Sequence, residues 1–159
     1  MLSNIKKQRQ EGFTIIEVMI VLVIAAVILL IVFLAVPALQ RNSRNTQANN
    51  EAAAVSSAAS EYVSNNGGNV PTSANVSTAA SSIKTLANVK NLQNITGSVG
   101  APSAALAPTS TTAFIVFTAK CDPAAPNKPI AGTGRQTALV YAVEDTTSTP
   151  VAKCIDSGV

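Results

Sequence analysis

Three residues of this 159-residue sequence need a chemical explanation: a carboxylate, Glu17, and two cysteines, Cys121 and Cys154. Glu17 sits at the edge of nineteen consecutive apolar residues, 18–36, with no cationic side chain close to it in the sequence. A charge in that position needs a partner or a route to water. A glycine, Gly12, stands just ahead of the run. The chain contains no His. That removes the Ser-His-Asp and Cys-His nucleophile systems and the imidazole metal ligands, so no catalytic residues are assigned and no enzyme is expected.

The cysteines lie 33 positions apart, which matches neither CxxC nor a zinc spacing. Their reading depends on compartment. Outside the cytoplasm they should be joined, and closing so long a loop would stabilise a small domain by roughly 4 kcal/mol. In a reducing compartment they would be two buried thiols packing as small hydrophobes. Asp122, Glu144, Asp145 and Asp156 lack EF-hand spacing and read as solvated carboxylates rather than a calcium site, so no metal or cofactor is expected. The formal charge of +3 is modest. Lys84, Lys90, Lys120, Lys128, Arg135 and Lys153 have no aromatic interleaving, so no specific nucleic-acid partner is expected.

The elements that position these residues read in order along the chain. Residues 1–12, "MLSNIKKQRQEG", are polar and basic and read as a leader. Residues 15–36 would form roughly 33 Å of helix, the hydrocarbon thickness of a bilayer. An ordinary secretory signal places its small-residue site after the apolar segment; here Gly12 precedes it. Cleavage at Gly12 would therefore leave the helix on the product. Lys6, Lys7 and Arg9 before the span, against Arg41 and Arg44 after it, place the N-terminus in the cytoplasm and the rest outside.

Residues 13–37 then form a transmembrane helix and 38–66 its amphipathic continuation. Pro37 should kink or loosen the helix without ending it, because it frees the Phe33 carbonyl. Val55, Ala58, Ala59, Tyr62 and Val63 recur every three or four residues, an apolar stripe on a polar helix. Asn65, Asn66, Gly67 and Gly68 supply the stop. Residues 67–112 read as a connecting region, with a short helix carrying Val76, Ala80, Ile83, Leu86 and Val89 followed by an exposed loop over 96–112. Strand signals at 113–119, 136–143 and 151–155 make 113–159 a three-stranded antiparallel meander holding the Cys pair. The fold class is α+β, a long N-terminal helix packed against a small C-terminal antiparallel sheet.

The sequence Gly12 followed by "FTIIEVMIVLVI" resembles the processing site and helix start of bacterial type IV prepilins and pseudopilins. The likeness covers about residues 11–40; beyond them only the pattern of a pilin-like fold agrees. The chain departs from many relatives in having Ala25-Ala26 where a glycine is common, and in placing its proline about one turn later. The resemblance implies that a prepilin peptidase cuts between Gly12 and Phe13 and methylates the new Phe13 amine. Glu17 would then pair with the amine of a neighbouring subunit during assembly. The expected function is a structural subunit of a type IV pilus for adhesion, motility or DNA uptake. It would be held in membrane lipid first, then polymerised with copies of itself by the pilus assembly machinery and displayed at the cell surface. The alternatives are a pseudopilin or minor pilin of a type II secretion or competence system and, from another class, a signal-anchored protein displaying an extracytoplasmic binding domain.

Overall fold

The structure, a computed structural model, describes residues 12–157. The leader expected over 1–12 lies outside them apart from Gly12. The chain divides into two compact units, residues 1–39 and 40–159.

Helix α1, Ile15–Asn65, is 51 residues long. In the first unit every described residue is exposed, although a helix apolar on all sides is of the kind that a core or a membrane covers. Pro37 lies inside α1, and the helix does not end there. It ends where the asparagine-glycine cluster permits left-handed backbone. Gly67 adopts φ +68°, and the N–H groups of Gly68 and Gly67 donate to the carbonyls of Val63 (2.8 Å) and Ser64 (3.1 Å). These paired bonds satisfy carbonyls that the last turn would otherwise leave without partners.

In the second unit the rest of α1 buries Ala52, Val55, Ser56, Ala58, Ala59 and Val63. Tyr62, the remaining member of the expected stripe, is half-buried. The short helix expected next is α2, Val76–Ala87, which buries Ala79, Ala80 and Ile83 and leaves Leu86 exposed. Val89 falls beyond its end.

The sheet differs from a three-stranded antiparallel meander. It has four strands in the order β1-β2-β5-β6: β1 Asn94–Val99, β2 Thr112–Phe117, β5 Thr137–Glu144 and β6 Pro150–Ser157. A separate pair, β3 Ala119–Lys120 and β4 Ile130–Ala131, is inserted between β2 and β5. Strands β2, β5 and β6 pair antiparallel, but β1 runs parallel to β2. Part of the segment read as an exposed loop is thus a strand, and the remainder, 100–111, is the crossover that a parallel pair requires. Gly97 explains the misreading. It looks like a turn signal, but α2 packs so closely on β1 that a Cβ at Gly97 would come within 2.8 Å of the Val76 Cγ2 and carbonyl oxygen.

The central strand β5 is buried from Thr137 to Val143, so its two faces serve two cores. On one face Leu139, Tyr141 and Val143 join Ile115 and Phe117 against α1. On the other, Ala138 and Val116 pack with Ala119 beneath Leu106, Cys121 and Cys154.

Candidate functional site: the start of helix α1

Gly12, Phe13 and Thr14 precede the helix, and Ile15 begins it. Thr14 is therefore the N-cap, and Glu17 falls three residues later. The Thr14 N–H and hydroxyl donate to Glu17 Oε2 at 2.8 and 2.7 Å, and the Glu17 N–H donates to Thr14 Oγ1 at 3.4 Å. This reciprocal arrangement is a capping box. It satisfies amides at the helix start and places a negative charge where the helix dipole favours one. In the single chain, Glu17 thus finds partners three residues before it. Thr14 was missed in the sequence, although "TIIE" carries the capping signature directly.

Glu17 is the only charged side chain between Phe13 and Gln40. Phe13 is 88% exposed, and with Val18, Ile20, Val21 and Leu22 it lines a shallow apolar depression beside the Glu17 carboxylate. The structure brings Gly12, Phe13 and Glu17 together within this one helix start. Pro37 lies on α1 about six turns further on.

Cys121 and Cys154 are joined by a disulfide with their Cα atoms 5.7 Å apart. Cys154 lies in β6 opposite Val140, and Cys121 follows β3. Asp156 fixes the approach, its carboxylate accepting the Cys121 N–H at 2.6 Å. The other carboxylates considered as calcium ligands are engaged separately. Asp122 accepts the Ala124 N–H, Asp145 organises the β5–β6 turn, and Glu144 pairs with Arg44 at 2.7 Å. Among the described residues no group of three His, Cys, Asp or Glu side chains is placed to hold a metal.

A second set of contacts fastens α1 to the β5–β6 hairpin. Arg41 donates to the Thr146 carbonyl, and the Asn45 amide bonds both backbone groups of Glu144. Tyr141 donates its hydroxyl to Asn49 Oδ1 at 2.7 Å. The hydrogen bonds from Arg44 hold the Glu144 carboxyl below its usual range and raise the Arg44 guanidinium. Hydrogen bonds from Thr149 and Thr147 lower Asp145 strongly, and burial raises Tyr141. None of these anchors was visible as a pattern in the sequence.

Residues 7–33 match the family model of the prokaryotic N-terminal methylation motif, the signal motif of type IV pilins and pseudopilins. The motif covers positions 7–11, Gly12, the capping box and most of the apolar run. It marks the chain as type IV pilin- or pseudopilin-like and implies processing by a prepilin peptidase. Helix α1 is also long and apolar enough to cross a membrane. No curated protein and no solved structure gave a significant match to the chain.

Proposed function

We propose that this chain is the structural subunit of a type IV pilus, a non-catalytic building block cut between Gly12 and Phe13 and methylated on the Phe13 amine. Before assembly it sits in the membrane with its N-terminus in the cytoplasm; afterwards it forms a helical homopolymer outside the cell, serving adhesion, motility or DNA uptake. The observation that supports this most directly is the first unit itself. From Gly12 to Leu39 it leaves every side chain exposed, and it carries the methylation motif at its head. So much apolar surface requires covering, first by lipid and then by the helices of other copies.

Glu17 fits both stages. Near the interface its carboxylate is met by Thr14, which makes membrane storage tolerable. In the filament core the amine of one subunit and Glu17 of another would neutralise each other, and leaving either unpaired would cost several kcal/mol. The test is electron microscopy of cells overproducing the chain, with mass analysis of the N-terminus. Long filaments built mainly of a chain beginning at methylated Phe13 are expected. A chain retaining residues 1–12 overturns the reading, and a processed chain found only as a trace component assigns it to a pseudopilus or minor position.

A further inference from the structure

Asn66 and Gly67 form the one Asn-Gly pair in the sequence. Such a pair carries a latent reaction, because glycine offers no Cβ to hinder its own backbone nitrogen. That nitrogen attacks the asparagine Cγ and forms a new N–C bond. The Cγ–Nδ2 bond breaks, and ammonia leaves with the proton the nitrogen gives up. Water then opens the cyclic imide to aspartate or isoaspartate. Both side chain and backbone here are exposed to that water.

In the folded chain both reacting groups are occupied. The Gly67 N–H donates to the Ser64 carbonyl at 3.1 Å, and Asn66 Nδ2 donates to the Tyr62 carbonyl at 2.8 Å. The Asn66 N–H bonds the same Tyr62 carbonyl at 3.1 Å, and the Gly68 N–H bonds that of Val63 at 2.8 Å. Nitrogen and amide are thus each engaged by one of the final carbonyls of α1. We infer that Asn66-Gly67 is a deamidation site that the C-terminal cap of α1 keeps closed, and that only local opening of this cap admits the reaction.

The product cannot remake the bond from Asn66 Nδ2 to the Tyr62 carbonyl. Conversion removes the Nδ2 donor and places a carboxylate at the negative end of the helix dipole, where the last turn of α1 has no basic side chain. Deamidation therefore records, irreversibly, the chains whose helix end has opened. The inference rests on the second unit alone and stands whichever filament, if any, the chain builds.

The experiment incubates the full detergent-solubilised chain at mildly alkaline pH, folded and in guanidinium, and follows each asparagine by peptide mass mapping. In guanidinium Asn66 should convert first. In the folded chain it should convert at least about tenfold more slowly, since two hydrogen bonds must open together. Equal rates in the two states overturn the inference. Gly68→Ala strains a φ of +82° and would have to displace the Arg135 guanidinium that lies against Gly68, so it should bring the folded rate towards the unfolded one. A folded Gly68→Ala protein that converts at the wild-type rate also overturns it. Hydrogen exchange of the Gly67 amide in the unaltered chain decides the matter independently: protection is expected, and exchange as fast as in an open loop refutes the closed cap.

Discussion

The side-chain amide of Asn45 bonds both backbone groups of Glu144, donating to its carbonyl at 2.8 Å and accepting its N–H at 2.7 Å. One helical side chain thus does for the end of β5 what another strand would do. The neighbouring Arg44 holds the Glu144 side chain, so a single turn of α1 fixes both the backbone and the carboxylate of the same residue.

Asn45→Ala should therefore destabilise the second unit by about 1–3 kcal/mol, the cost of leaving half-buried backbone groups unsatisfied. Denaturant unfolding measures this. Asn45→Asp should be damaging too, because a carboxylate can accept the Glu144 N–H but cannot donate to its carbonyl. A stability unchanged in both variants would show that water replaces the amide without loss.

The hairpin makes stability depend on pH at both ends of the scale. Glu144 and Asp145 are depressed in the folded chain, so their contribution is complete above the unfolded carboxylate pKa of about 4 and is lost as pH falls through the folded values. Tyr141 is raised by burial, so its contribution is complete below the unfolded value of about 10 and is lost as pH rises through the folded one. Melting temperature should be flat between these limits and fall on either side. Asp145→Asn should flatten the acid limb and leave the alkaline limb alone; an unchanged acid limb would remove Asp145 from the account.

Glu17→Ala should leave membrane insertion intact or easier, because it removes the one charge from the apolar segment. Cleavage and membrane level should be normal and filaments few. Glu17→Gln should fall between, since the amide can accept a hydrogen bond from an amine but cannot neutralise it. Thr14→Val removes the capping hydroxyl at almost constant volume and should fray the first turn, costing about 1 kcal/mol of helix stability, with Thr14→Ser restoring it. Filament counts by electron microscopy and amide exchange at residues 15–18 report the two effects separately. Wild-type assembly by the Glu17→Ala chain would refute the intersubunit pairing.

Reducing the Cys121–Cys154 bond, or replacing both cysteines with serine, should cost roughly 4 kcal/mol, the loop entropy of a 33-residue separation. Thermal unfolding with and without reductant measures it. A melting temperature insensitive to reductant would mean that the second core holds without its staple.

What could be read from the sequence follows physical range. The apolar run, the α1 stripe at Val55, Ala58, Ala59 and Val63, and the glycine stop after Asn66 are local patterns that the chain cannot satisfy in many ways. Strands β2, β5 and β6 were legible because runs such as "ALVYAV" are apolar and rich in β-branched and aromatic residues. Strand β1, "NITGSV", was not, because its pairing is parallel and non-local and its Gly97 serves a close helix contact. Thr14 was legible and went unread. The tethers from Asn45 and Asn49 to β5 could not be read, since nothing in an asparagine's neighbours along the chain announces a partner about a hundred residues away.

The disulfide also sets what survives a protease. Surface turns are where chains are nicked most readily, and the segments after Cys121 and between β5 and β6 both lie inside the covalent ring that the bond closes. A single cut in either leaves the two pieces linked, with β5 still paired on both sides. The crossover over residues 100–111 lies outside that ring, so a cut there leaves β2 and everything after it attached by the β1–β2 ladder and packing, with no covalent bond. That crossover and the segment over residues 66–75, between α1 and α2, are the longer surface segments of the second unit where a single clip breaks the covalent chain in two.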